Sequence, residues 1–99
     1  MNNSPSDNVV GPPRTQQSTS SIFRRPQVQA ETGYRRSTVY ALMAQGLFTR
    51  PVALGPRAVG WPAREIAALN EARIAGRSDA DIRSLVAKLH AARGTAQAV

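Results

Sequence analysis

A mainly α-helical fold carrying one small β-hairpin is predicted by three observations. Two short helical segments meet at Gly33, a tight glycine turn just before the run R-R-S-T-V-Y. The hydrophobic period changes after Gly46, where P-V-A-L-G-P-R-A-V-G-W reads as two short strands around a Gly-Pro turn. Ile82, Leu85, Val86 and Leu89 then fall at i, i+3, i+4 and i+7, the cleanest helical stripe in the chain. Two helices, a tight turn and a following hairpin make a winged helix-turn-helix, here followed by two C-terminal helices. The 99 residues leave room for one small core, with no cysteine to add a disulfide or a thiolate zinc site.

Each element has its own local reason. Residues 1–21 are rich in Asn, Ser, Pro and Gln, with V-V-G-P-P the one apolar break, so a disordered tail is expected. The winged helix-turn-helix is expected over residues 22–76. Its first helix is predicted from Pro26, tolerated at a first helical position, to Thr32, with Val28 inward and Gly33 ending it. The second helix is predicted over Arg36–Gln45. It is too short to persist alone in water, so Val39, Leu42 and Met43 must dock while Arg36, Ser37, Tyr40, Ala41 and Ala44 face out.

Two strands are predicted at Val52–Leu54 and Ala58–Trp61, with Arg57 in the turn between them. Trp61 is assigned to the core, because a small domain without cysteines needs its one tryptophan buried. A third helix is expected over Ala63–Ala75, with Pro62 near its first position, Gly76 beyond its end, and Ile66, Leu69 and Ile74 supplying its buried face. Ser78 caps a fourth, amphipathic helix within residues 77–93. Asp79 and Asp81 lie in its first turn and Lys88 and Arg93 near its end, as the helix dipole favours. Residues 94–99 are expected to fray.

The net charge of +7 is unevenly spread. Residues 1–21 balance, residues 22–64 carry +6 with Glu31 the lone acid, and residues 65–99 carry +1. A basic excess confined to the segment expected to fold points to a polyanionic partner. Twelve of the thirteen basic residues are arginine, suited to bidentate contact with phosphates and guanine edges. In a helix-turn-helix the second helix enters the major groove with its N-terminal residues toward base edges. Double-stranded DNA is the expected partner. Arg35 and Arg36 stand at the mouth of that helix, where Arg36 suits a guanine and Ser37 a base or phosphate; Tyr40 is placed to reach the backbone. Arg24 and Arg25, before the first helix, and Arg50 suit phosphates, and Arg57 at the hairpin tip suits a minor groove.

Other classes find less support. His90, the single histidine, has no cluster of partners in sequence, and no phosphate loop, metal-ligand spacing or nucleophile elbow is present. No enzyme activity, catalytic residue, cofactor, metal or small-molecule ligand is expected. The start M-N-N-S-P-S-D lacks a basic or apolar run, and no apolar segment approaches the ~20 residues of a membrane span. Neither a secretory signal nor a membrane partner is therefore expected, and the cytoplasm is the expected compartment.

The run from Phe23 to Trp61 contains R-R-P-Q-V, T-G-Y-R-R-S-T-V-Y and G-L-F-T-R-P-V-A-L-G-P-R-A-V-G-W. It resembles the AlpA family of prophage regulatory proteins, small winged-helix proteins related to phage excisionases and to the DNA-binding part of the MerR group. The resemblance implies sequence-specific DNA binding and transcriptional regulation of mobile-element genes, without a cofactor. It places Arg36, Ser37, Thr38 and Tyr40 in the recognition helix and Arg57 in the wing. Two positions depart from the family pattern. Arg35 stands where a serine commonly caps the recognition helix, at a cost of about 1 kcal/mol, and Thr49 stands where proline often follows the Phe48 position.

Three functions follow as expectations. The first is a sequence-specific transcriptional regulator of prophage or mobile-element genes. A second keeps the fold but makes it an excisionase-like factor that bends DNA for site-specific recombination. In a third, the stripe of the C-terminal amphipathic helix engages a partner helix. A lone winged helix of this size usually needs a dimer or repeated sites for useful specificity, so a homo-oligomer on DNA is a candidate state.

Overall fold

The structure, a computed structural model, describes residues 21–98; the expected tail lies outside these residues, Ser21 apart. Seven elements follow in order: β1 (Ile22–Phe23), α1 (Arg25–Thr32), α2 (Arg36–Ala44), β2 (Val52–Gly55), β3 (Ala58–Pro62), α3 (Ala63–Ile74) and α4 (Asp79–Ala98). The architecture is the mainly helical winged helix-turn-helix with two C-terminal helices that the sequence predicts.

The first helical pair forms as its capping residues require. Gly33 adopts φ 79°, a left-handed conformation that side chains with a Cβ resist, and its N–H donates to the Gln29 carbonyl at 2.8 Å. Gly46 (φ 77°) closes α2 in the same way, and the Leu47 N–H returns to the Leu42 carbonyl at 2.8 Å. Helix α1 begins at Arg25 rather than Pro26, with Arg24 in the extended N-cap position. The reason is that proline at the second helical position is as free of hydrogen-bonding duty as at the first.

One strand has no precedent in the sequence reading. Ile22 and Phe23 pair antiparallel with Pro62 and Trp61, so the hairpin β2–β3 becomes a three-stranded sheet in the order β1-β3-β2. Two residues carry no usable period-2 signal, and only the partner strand makes them a strand. Gly60 permits this closeness: a Cβ there would lie 2.5 Å from the Ile22 Cγ2 and 3.1 Å from the Phe23 carbonyl oxygen. Across the hairpin, Val52 faces Gly60 and Ala53 faces Val59, with an irregularity before Gly55.

The core draws one or two residues from each helix, one from β3 and two from the loop after α2. Val28, Val39, Leu47, Phe48, Trp61, Ile66, Leu69, Ile82 and Val86 form one buried cluster. Trp61 is fully buried, as expected, and its indole N–H donates to the Thr49 carbonyl at 2.9 Å. Tyr34 meets Phe48 edge-on at 6.3 Å between ring centroids. Ile82 and Val86 of α4 are buried in this cluster, and Leu85 and Leu89 pack against it. The amphipathic stripe is thus satisfied within the chain itself.

Three details differ from expectation. Ile74 is 86% exposed rather than part of the buried face: it is the last residue of α3, and the packing of that turn on the core runs through Ala72 instead. Helical geometry in α4 continues through Gly94 to Ala98, a run whose alanines favour helix enough to carry one glycine. Arg93 does not serve the helix end; it forms an ion pair with Glu65, described below. The capping of α4 follows expectation, with the Asp81 N–H donating to Ser78 Oγ at 3.1 Å.

Candidate nucleic-acid interface

Helix α2 separates its two faces sharply. Val39 is fully buried and Leu42 and Met43 pack against the core, while Arg36, Ser37, Tyr40, Ala41 and Ala44 are exposed. Docking one side thus presents the other. Arg35 takes the N-cap position with extended backbone (φ −81°, ψ 163°), and its side chain makes no capping hydrogen bond. The first-turn N–H groups of α2 therefore lack the side-chain oxygen that a serine would bring. Two exposed guanidinium groups stand at that same end.

Arg36 and Tyr40, one turn apart, interact with each other. The Arg36 Cζ lies 5.6 Å from the Tyr40 ring centroid, a cation–π contact worth about 0.5–1 kcal/mol at an exposed site. This lays the arginine along the outer face of α2 at an energy small enough to exchange for a stronger contact. Ser37 is exposed beside it, and Thr38 is half-buried, turned partly toward the domain.

The remaining predicted residues lie on other elements. Arg24 is exposed at the N-cap of α1. Arg25, inside the first turn, is half-buried, and its Nε is buried with no hydrogen-bond partner. Arg57 is exposed in the two-residue turn between β2 and β3. Arg50 is exposed at the other end of β2, so the strand's length, about 13 Å at ~3.3 Å per residue, separates the two wing arginines.

Arg50 is held from a direction that its neighbours in sequence do not reveal. Its backbone N–H donates to His90 Nε2 at 3.1 Å, and its carbonyl accepts from Arg93 Nη2 at 2.6 Å. Arg93 also engages Glu65 bidentately, with both bonds at 2.7 Å, and the Glu65 side chain is 1% exposed. His90 must be neutral at Nε2 to accept that bond. Burial above all, then the positive charges of Arg50 and Arg93, lower its pKa from the ordinary 6.5, opposed by Glu65. Sequence reasoning missed this group because its members are far apart along the chain and share no period. The one available signal was an acid, Glu65, at a buried-face position of α3.

Thr49, the second departure from the family pattern, is fully buried, and its hydroxyl has no hydrogen-bond partner. A proline there would bury no hydroxyl. Among the described residues no group of three or more His, Cys, Asp or Glu side chains could hold a metal ion. No helix among them is long and apolar enough to cross a membrane.

An uncharacterized protein, ORF88, of Enterobacteria phage P4 is 41% identical over 56 residues, which cover 57% of this chain and 64% of that protein. The chain thus spans just under two thirds of that relative's length. No solved structure matches the chain. The family model described as "Prophage CP4-57 regulatory protein (AlpA)" matches residues 21–74, from β1 to the end of α3. That match covers more than half of the chain and every element from β1 to α3, and the chain belongs to the AlpA family of prophage regulatory proteins.

Proposed function

We propose that this protein regulates prophage or mobile-element genes by binding double-stranded DNA in a sequence-dependent way. The observation that carries the reading is the division of α2. Its apolar side is consumed by the core, and its free side offers Arg35, Arg36, Ser37 and Tyr40 at the end that a helix-turn-helix directs to base edges. The +6 charge of residues 22–64 supports a polyanionic partner, and the regulatory family supports DNA among polyanions.

In this reading residues 22–76 form the DNA-binding unit, with the helix beyond them packed on its core. Arg36 takes a guanine edge after leaving the Tyr40 ring, and Ser37, Thr38 and Tyr40 adjust register by contacts to bases and backbone. Arg24, Arg25 and Arg50 hold phosphates, and Arg57 enters a minor groove from the wing tip. Arg35 adds charge where a cap would otherwise sit.

Selection of bound sequences from a random duplex pool tests the idea, with Arg36→Ala as control. Wild-type protein is expected to enrich one motif, and affinity for it is expected to fall steeply with salt as counterions are released. Arg36→Ala is expected to lose about 1–3 kcal/mol on that motif and to relax one position of it. Binding without sequence preference or salt dependence would refute the proposal.

A further inference from the structure

The side chains of His90 and Arg93, the latter held by the Glu65 carboxylate, converge on one peptide segment, that of Arg50. Both main-chain groups of Arg50 are engaged, the N–H by His90 and the carbonyl by Arg93. His90 and Arg93 are three residues apart on α4 and so share a face. Glu65 fixes the Arg93 guanidinium with two bonds, leaving Nη2 aimed at the carbonyl. On its other side Pro51 restricts the Arg50 backbone to extended conformations. The Arg50 side chain itself is exposed and forms no ion pair among the described residues. A backbone tied at both polar groups carries a side chain with no ion pair among the described residues.

This arrangement is wasteful for stability alone. A buried ion pair is at best weakly stabilising relative to apolar residues of the same size, and here part of its hydrogen-bonding capacity serves a surface segment. It suits a residue whose direction must be set before a ligand arrives, since pre-organisation reduces the ordering cost of binding. Both α4 residues of the clamp lie beyond residue 74, outside the stretch matched by the family.

We propose that His90 and Arg93, fixed by Glu65, are positioning residues for Arg50, through which α4 sets the affinity of the winged helix-turn-helix for a DNA phosphate. The inference rests on the DNA-binding reading and adds a residue set to it. Because Arg93 also supports folding, the test turns on His90, whose removal leaves the Glu65–Arg93 pair in place.

A double-mutant cycle decides it, using full-length protein and fluorescence anisotropy on a duplex enriched from the random pool. Arg50→Ala is expected to weaken binding on the order of tenfold, as loss of a charge-assisted contact does, and to lower the salt slope by about one. His90→Ala is expected to weaken binding roughly threefold in the wild-type background and not at all when Arg50 is already alanine, because positioning matters only while there is a side chain to position. His90→Gln, which keeps an acceptor, is expected to restore part of the loss. Additive losses in the cycle, or no effect of His90→Ala on wild-type affinity, would overturn the positioning role while leaving DNA binding intact. If wild-type protein binds no duplex, both this inference and the reading beneath it fall.

Discussion

Removing the Arg93 guanidinium would expose how much of the fold depends on one buried charge. Glu65 is 1% exposed and its two oxygens have Arg93 as their partner, each at 2.7 Å. In Arg93→Met the aliphatic stem is largely conserved, but the carboxylate is left buried without a counter-charge. Breaking a buried pair in this way costs about 3–5 kcal/mol. A domain of this size has a total folding stability of roughly 4–12 kcal/mol, so the variant should be marginal at room temperature. Since 1 kcal/mol moves the midpoint of a small domain by about 4–8 °C, thermal unfolding should occur at least ~12 °C lower.

The control is the double variant Glu65→Leu with Arg93→Met. It removes the orphaned charge along with its partner, and apolar replacement of a buried pair is often neutral or better. The double variant should therefore recover most of the loss, short of wild type by about 1 kcal/mol for the missing bond to the Arg50 carbonyl. Urea titrations followed by far-UV circular dichroism, with equal slopes in all three proteins, would measure this. A loss below ~1 kcal/mol in Arg93→Met, the size expected of an exposed pair, would refute the reasoning. So would a double variant no more stable than the single.

Three further outcomes are expected. Thr49→Val replaces a fully buried hydroxyl that has no partner by a methyl of the same shape, and should raise stability by about 1 kcal/mol in the same titration. Arg35→Ser supplies an oxygen at an N-cap with suitable extended backbone, and should stabilise by ~1 kcal/mol in thermal melts while lowering DNA affinity through the lost charge. His90 gives the pH dependence a sign. Its folded-state pKa is lowered, chiefly by burial, so the folded protein binds fewer protons there than the unfolded chain. Its contribution should be complete above the unfolded value of 6.5 and be lost as pH falls through the folded value, and urea midpoints in His90→Gln should lack that part of the acid-side decline.

Local chemistry determined much of this protein by sequence alone. The glycines at 33 and 46 are in left-handed conformations that end helices, as their positions after apolar-periodic runs imply. Spacing within α2 separated Val39 from Arg36, Ser37 and Tyr40, because a helix's faces follow from its period. The hairpin and the capped fourth helix were legible for the same reason, each signal lying within a few residues, while the buried tryptophan followed from the size of the chain and its lack of cysteine. The first candidate site, the outer face of α2, was therefore readable from sequence, as was the exposure of Arg57.

Tertiary structure decided what depends on distant neighbours. β1 exists because Gly60 lets Ile22 and Phe23 approach β3, a relation spanning almost forty residues. Ile74 is exposed because the last turn of α3 meets the core through Ala72, which the helical period cannot foretell. Glu65, His90, Arg93 and Arg50 meet only when α4 folds back across α3 and the base of the wing. Periodicity reports which face of a helix is apolar; it does not report what that face meets. The polar clamp on Arg50 is thus a property of the packing, set by where α4 docks.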